Sequence, residues 1–190
     1  MKKIFLIAGL CAMIACNNAE KSDSVEKADS TNKANIDTVM NQNTMAVDEA
    51  SSSFLVKAAD GGMAEVHMGE LGQQKATSQR VKDFSAMMVK DHSEANDKVK
   101  ALASQKNITL PASVSDEHQK AMDMLSKKSG KDFDKAFMDA MVKDHEKAID
   151  LFEAGMKDAK DPDVSSLADK TLPTLRTHLD SAKSVRSSLK

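Results

Sequence analysis

Beyond residue 48, apolar residues return at intervals of three and four positions, the spacing that places them on one face of an α-helix. This period runs through four long stretches, separated by short breaks that contain helix-ending or helix-starting residues. We therefore predict long helices over residues 49–76, 79–106, 131–159 and 162–188. A shorter helix is predicted over 115–128. The chain has few Gly and Pro and no Trp or Tyr, a composition that favours helix over sheet.

The lengths of the connections predict how the four long helices pack. The first is joined to the second by a short link, as is the third to the fourth, so each pair forms an antiparallel hairpin. Residues 107–130, with Pro111 and the short helix, separate the two hairpins. This all-α pattern predicts a ferritin-like four-helix bundle with a short extra helix in its crossover; simple up-down-up-down connectivity is the alternative. Asp161 and Pro162 are typical of a helix start, and Pro173 predicts a kink or a split in the last helix.

The first 15 residues predict export from the cytoplasm. Two lysines precede an apolar run over residues 4–15 that is too short to span a bilayer, a pattern typical of a signal peptide. Residues 13–16, MIAC, resemble the lipobox of bacterial lipoproteins, in which Cys16 is lipidated and becomes the first mature residue. Cys11 lies within the signal peptide, so Cys16 is the sole mature cysteine. Ordinary cleavage that leaves a free thiol is the alternative.

The region after Cys16 has no apolar period. Residues 16–48 are rich in Asn, Ser, Asp, Lys and Ala, which predicts a disordered tether before a helical domain of residues 49–190. We therefore expect a protein of the bacterial envelope that is bound to a membrane through its N-terminal lipid. Asn17-Asn18 supplies no aspartate after the lipidated cysteine, which favours the outer membrane or the periplasmic side. The sequence indicates no particular protein partner.

Charge and motifs exclude several function classes. Loss of Lys2 and Lys3 with the signal peptide changes the net charge from −2 to −4, whereas a nucleic-acid-binding surface is basic. We expect no nucleic-acid partner. Gly61-Gly62 lies inside a predicted helix rather than after a strand, so we interpret it as a close-packing position and not as a phosphate loop. The sequence leaves enzymatic activity uncertain and favours its absence.

Four ionisable residues lie on or beside the apolar stripes, each near the middle of a different long helix. They are Glu65, His92, His145 and His178. Since midpoints of antiparallel helices sit at similar heights, we predict that these side chains converge at one level of the core. The pentapeptide MVKDH occurs at both 88–92 and 141–145. Asp91 and Asp144 are turned about 100° from the neighbouring histidines and could orient an imidazole.

A carboxylate and three imidazoles in a helical core form a candidate site for zinc, copper or iron. In the alternative interpretation they hydrogen-bond one another and only fix the packing of the helices. A ferritin-type di-iron site requires Glu-x-x-His pairs on two helices. The residues three positions before the histidines are Val89, Val142 and Leu175. The oxygen-rich ligand set of a di-iron site is therefore missing.

Two methionines lie one turn before the predicted histidine ligands. Met88 and Met141 would suit copper as additional ligands, or they fill the core as methionines usually do. His118, in the short helix, is predicted to lie on the surface.

Several motifs of this chain resemble the DUF4142 family of bacterial exported proteins. They are Phe54-x3-Ala58-x2-Gly61-Gly62-Met63-Ala64-Glu65, Met88-Val89-x-Asp91-His92, Phe133-Asp134 with His145, and Leu172-Pro173-x4-His178-Leu179. Their order and spacing agree over residues 50–188. The family is grouped with ferritin-like folds and its biochemical function is not established. The resemblance therefore implies the fold and an exported location, and it leaves the activity open.

Overall fold

A computed structural model describes residues 23–40 and 47–189, and within these ranges the chain forms six helices and no strand. The helices are α1 Ser24–Met40, α2 Glu49–Lys75, α3 Gln79–Gln105, α4 Asp116–Ser126, α5 Gly130–Asp158 and α6 Pro162–Ser188. The five predicted helices are confirmed, with bounds within two residues of those expected. The predicted signal peptide over 1–15 and the predicted lipidation site Cys16 lie outside the described residues. In the described ranges, none of the helices has the length and apolar character that crossing a membrane requires.

The packing of the long helices identifies the bundle type. Helices α2 and α3 form one hairpin and α5 and α6 the other, while α2 also packs on α5 and α3 on α6. Helices α3 and α5 thus occupy opposite corners, which an up-down-up-down bundle would not allow. The connection between them, with α4, runs along the bundle. The protein is therefore a ferritin-like four-helix bundle with a short extra helix in the crossover, as predicted.

The apolar core consists of two clusters, one toward each end of the bundle. The first, called the Met68 cluster here, includes Met68, Met88, Phe137, Met141 and Ala182. The second, called the Leu55 cluster, includes Leu55, Val99, Phe152, Val164 and Leu175. Helices α3 and α5 both start in the Met68 cluster, and α2 and α6 both start in the Leu55 cluster. The middle of each long helix lies between the two clusters.

Helix α1 corrects one prediction. Residues 24–40 were expected to belong to a disordered tether, and this is wrong, because they form a helix that packs on α2. Its Asn32 amide donates to the Thr109 carbonyl and accepts from the Thr109 N–H, both at 2.8 Å. Ala28 is buried beside it. Among the described residues of α1, the fully buried ones are one alanine and one asparagine, which leave no large apolar stripe in the sequence, so the helix escapes detection by hydrophobic period.

Two backbone predictions are also partly wrong. Gly62 is a close-packing position as expected, since a Cβ there would overlap the side chain of Asn96, but a Cβ on Gly61 would meet nothing within 4 Å. Helix α6 begins with the predicted Asp161 cap, whose side chain accepts from the Asp163 and Val164 N–H groups. It then continues unbroken past Pro173. Burial of α6 on both sides of the proline outweighs the cost of about 3 kcal/mol that an interior proline imposes.

A buried carboxylate joins the two hairpins. Asp134 on α5 accepts from the Thr77 N–H at 2.9 Å, the Thr77 hydroxyl at 2.6 Å and the Ser78 N–H at 2.8 Å. The carboxylate therefore satisfies backbone donors at the turn between α2 and α3, although it is only 2% exposed. This contact fixes the start of α5 against the first hairpin.

Replacement of Asp134 by alanine should destabilise the protein by about 3 kcal/mol or more, because buried donors that served a charged acceptor lose their partner. Urea unfolding followed by far-UV circular dichroism measures this difference. Asp150→Ala, which removes an exposed carboxylate from the same helix, is the matched control and should change stability by less than about 0.5 kcal/mol. Equal stability of the two variants would show that the contact does not hold the hairpins together.

Candidate metal centre

Three histidines meet between the Met68 and Leu55 clusters. His92 on α3, His145 on α5 and His178 on α6 are 7%, 0% and 2% exposed. Their ring centroids lie 5.3–5.5 Å apart. One ring nitrogen from each lies within 4.8 Å of the corresponding nitrogen of the other two. The structure thus brings together the three predicted histidines at one level of the core.

Each of these imidazoles has one buried nitrogen without a hydrogen-bond partner in the described part of the chain. These atoms are His92 Nε2, His145 Nε2 and His178 Nδ1. The second nitrogen is bonded in two of the rings: His145 Nδ1 lies 2.9 Å from the Met141 carbonyl oxygen, and His178 Nε2 lies 3.0 Å from Asp91 Oδ2. Since a carbonyl oxygen only accepts, His145 Nδ1 donates, and the lone pair is on Nε2. Metal-binding histidines are commonly held through such bonds to carbonyl or carboxylate oxygens.

The protonation of His92 and His145 suits a ligand role. Burial, reinforced by the neighbouring His145 and His178, lowers the pKa of His92 to about 3. Burial likewise lowers the pKa of His145 to about 4. Both rings are therefore neutral at physiological pH and keep a lone pair available, as metal binding requires.

Glu65 lies beside the triad rather than within it. Its Oε1 is 3.4 Å from His145 Nδ1, the nitrogen that already donates to Met141, and its Oε2 has no partner among the described residues. Burial, and secondarily the Asp144 carboxylate, raises the pKa of Glu65 well above its usual range. The fourth predicted ligand is thus a carboxyl group whose neutral form is favoured by burial and which contacts one histidine, and its role as a ligand stays a prediction.

The two predicted supporting aspartates differ. Asp91 hydrogen-bonds His178 on the neighbouring helix and so orients that ring. The charge of Asp144 instead contributes to raising the pKa values of Glu65 and His118. Burial raises the pKa of Asp144 itself. Met88 and Met141 are fully buried within the Met68 cluster, where they fill the core.

His118 was predicted to lie on the surface, and the structure shows it partly buried, with 22% of its side chain exposed. Its Nδ1 lies 3.0 Å from Oδ2 of Asp60, whose Oδ1 accepts from the Ser115 N–H at 2.7 Å. The bond with Asp60 raises the pKa of His118. This contact attaches the start of α4 to α2. Asp60 was missed because its partner lies 58 positions away in the sequence, and no local pattern indicates that pairing.

A cavity of about 350 Å³ adjoins the triad. His92 and His178 line it together with Glu65, and the Asp60–His118 pair lines it as well. The cavity therefore extends from two of the three triad histidines to the region of α4.

Fold and site together define a ferritin-like helical bundle with a buried histidine triad at its centre. The chain belongs to the DUF4142 family: the model of that family, described as a domain of unknown function, matches residues 25–185. The match includes most of α1. None of the curated proteins matches the chain in sequence.

Solved structures resemble the bundle at low sequence identity. A DUF305 fragment from Deinococcus radiodurans superposes with a TM-score of 0.68 at 16% identity, over 76% of this chain and 100% of the fragment. CopM in its Cu(II)-bound form gives 0.63 at 18% identity, over 74% of this chain and 97% of CopM. CopM in its Cu(I)-bound form gives 0.60 at 17% identity, over 70% and 93%. At these identities the likeness shows a shared fold.

The raised pKa of Glu65 predicts a pH-dependent effect of Glu65→Gln in the metal-free protein. Above its unfolded pKa of 4.5, the folded state retains a proton that the unfolded state loses, so Glu65 lowers stability as the pH rises. Glutamine does not ionise, so the variant lacks this loss of stability at higher pH. The variant should match the native protein near pH 4 and become progressively more stable than it above pH 4.5, as measured by urea unfolding at several pH values. The exposed Glu70→Gln is the control, and a constant stability difference across this range would contradict the prediction.

Proposed function

We propose that His92, His145 and His178 bind one transition-metal ion, and that copper is the preferred ion. The observation that carries the proposal is the meeting of three buried histidines, each with one unpartnered ring nitrogen in the described part of the chain, and with one nitrogen of each ring within 4.8 Å of the others. An unsatisfied buried polar atom costs about 1–3 kcal/mol. One ion bonded to all three nitrogens would remove these costs together.

The donor set favours copper over iron. Neutral imidazoles suit copper, zinc, iron and nickel, and among divalent ions the intrinsic affinity of such a site is highest for Cu²⁺. The Glu-x-x-His pairs of a di-iron site are absent around these histidines. CopM, which shares the fold, has been captured with Cu(I), Cu(II) and silver. Zinc, which accepts three histidines in other proteins, is the main competitor.

A structural role for the cluster is the second candidate. The bonds from His178 to Asp91 and from His145 to Met141 hold the two rings in place without a metal. The His178–Asp91 bond also joins α6 to α3 and could fix their register. This role does not explain why one nitrogen of each ring is buried without a hydrogen-bond partner in the described part of the chain. It predicts that no metal is retained.

We further propose that the protein is a lipoprotein of the bacterial envelope, anchored through Cys16. The lipobox-like residues 13–16 and the absence of any other mature cysteine support the anchor. Because α1 begins at Ser24 and packs on α2, the span from Cys16 to the folded domain is shorter than a tether over 16–48 would be. Residues 17–23 reach at most about 25 Å when extended. A thiol-free ligand set is suited to an oxidising compartment.

Metal retention tests the proposed centre. Protein stripped with chelator and equilibrated with copper, zinc or iron should retain one equivalent of copper after gel filtration, measured by mass spectrometry of the metal. Free copper at 100 times its dissociation constant should stabilise the fold by about 2.7 kcal/mol. Asp91→Asn should weaken binding roughly 10–100-fold, because it alters the group that orients His178.

Alanine variants of the three triad histidines should each lose most of the copper. The matched control is His67→Ala, which removes an exposed histidine from α2 and should leave retention unchanged. Far-UV circular dichroism confirms that each variant is folded. Absence of stoichiometric metal in the native protein would favour the structural role, and equal loss in the His67→Ala variant would mean that surface histidines bind the ion.

Lipidation is tested with Cys16→Ala in a bacterial host. The native chain should partition into the detergent phase of a Triton X-114 extract and incorporate labelled palmitate, because acyl chains supply the membrane affinity. The variant should accumulate as unprocessed or soluble protein. Palmitate incorporation that is equal in both chains would contradict the assignment of Cys16.

A further inference from the structure

The cavity beside the triad has a lining surface that is mostly apolar. Its apolar residues include Ala58, Ala64, Val99, Leu151, Phe152 and Leu175. Polar residues also line it, among them His92, His178 and Glu65, each of which has a buried nitrogen or oxygen atom without a partner in the described part of the chain. A mostly apolar surface that also carries polar groups is the usual form of a small-ligand site.

The size of the cavity is sufficient for an organic molecule. Its volume of about 350 Å³ is more than twice the roughly 150 Å³ of an engineered cavity that accommodates benzene. A hydrated ion alone would not require an apolar wall of this extent. The wall therefore favours an occupant with an apolar body.

The glycine at position 61 is a second observation that favours an open cavity beside the triad. Glycine inside a helix costs about 1 kcal/mol relative to alanine. At neighbouring Gly62 the contact with Asn96 explains the glycine, but a Cβ on Gly61 would meet nothing within 4 Å. Gly61 lines the cavity. A larger side chain at this position would project beside the cavity and reduce the space available to a ligand.

We propose that this cavity binds a small uncharged organic ligand with an apolar body and one lone-pair donor atom, which occupies an open coordination position of the metal held by the triad. The inference rests on the proposed metal centre and deepens it. Three protein ligands with an open fourth position characterise metal sites that bind exogenous molecules, whereas structural sites are closed by four protein ligands. The ligand donates an electron pair to the ion, and no covalent bond is broken.

Glu65 adds a criterion for the ligand. Its unpartnered Oε2 can pair with an N–H or O–H group of the bound molecule. Imidazoles combine a lone-pair nitrogen with an N–H group and so represent the expected chemical class. The apolar walls further predict that a phenyl substituent increases affinity, because its surface leaves water on binding.

The test uses copper-loaded protein at pH 8, titrated with imidazole and with 4-phenylimidazole. Binding is followed by the shift of the Cu(II) visible band and by electron paramagnetic resonance. We expect saturable binding of one equivalent, with 4-phenylimidazole at least tenfold tighter than imidazole. Equal affinities, no spectral change, or removal of copper by the ligand would each overturn the proposal.

Two cavity-filling variants make the test specific. Gly61→Leu and Ala95→Leu both enlarge residues that line the cavity, and each should weaken 4-phenylimidazole at least tenfold while copper retention is unchanged. Leucine at position 61 also raises helix propensity, so this variant should fold. Ala101→Leu, at an exposed position of α3, is the matched control and should bind as the native protein does. Undiminished ligand binding in both filled variants would place the ligand elsewhere.

The outcomes separate this inference from the proposed function. If the native protein retains no copper, the metal centre itself fails and the ligand site falls with it. If copper is retained and gives no response to either imidazole, the centre stands and is closed by the protein. Only a response that depends on the phenyl group and on the filled positions supports the cavity site.

Discussion

Three buried imidazole nitrogens that lack partners impose the central constraint on this bundle. His92, His145 and His178 place polar atoms between two apolar clusters, where each unsatisfied atom is unfavourable. Three helices must therefore keep a common register so that the rings meet and their other bonds form. The Asp134 contact with the α2–α3 turn and the short links within the hairpins hold that register from the end of the bundle.

The same low-polarity surroundings determine the chemistry of the centre. Burial lowers the pKa of His92 and His145 and raises that of Glu65, so the neutral forms of these groups persist over a wider pH range than those of exposed ones. Neutral imidazoles bind a metal without first losing a proton. The hydrogen bonds to Asp91 and to the Met141 carbonyl then orient two of the rings. The adjoining cavity borders His92, His178 and Glu65.

Long-range polar contacts account for what sequence reasoning missed. Helix α1 is held by Asn32 and Thr109, and α4 is attached through Asp60 and His118. Neither contact requires a run of large apolar residues, so neither produces a hydrophobic period. The unbroken α6 is a related case, because the packing on both sides of Pro173 outweighs a local preference for a break.

The sequence by itself determined the long helices, the Asp161 cap, the hairpin pairing and the level at which His92, His145 and His178 lie. These features depend on the 3.6-residue period, on capping and on link length, all of which are local. The tertiary structure alone decided that Glu65 lies beside the triad, which ring nitrogens lack a partner among the described residues, and that a cavity borders His92 and His178. These features depend on the rotation of each helix about its axis and on pairings between distant residues, which only the packing of the whole bundle determines.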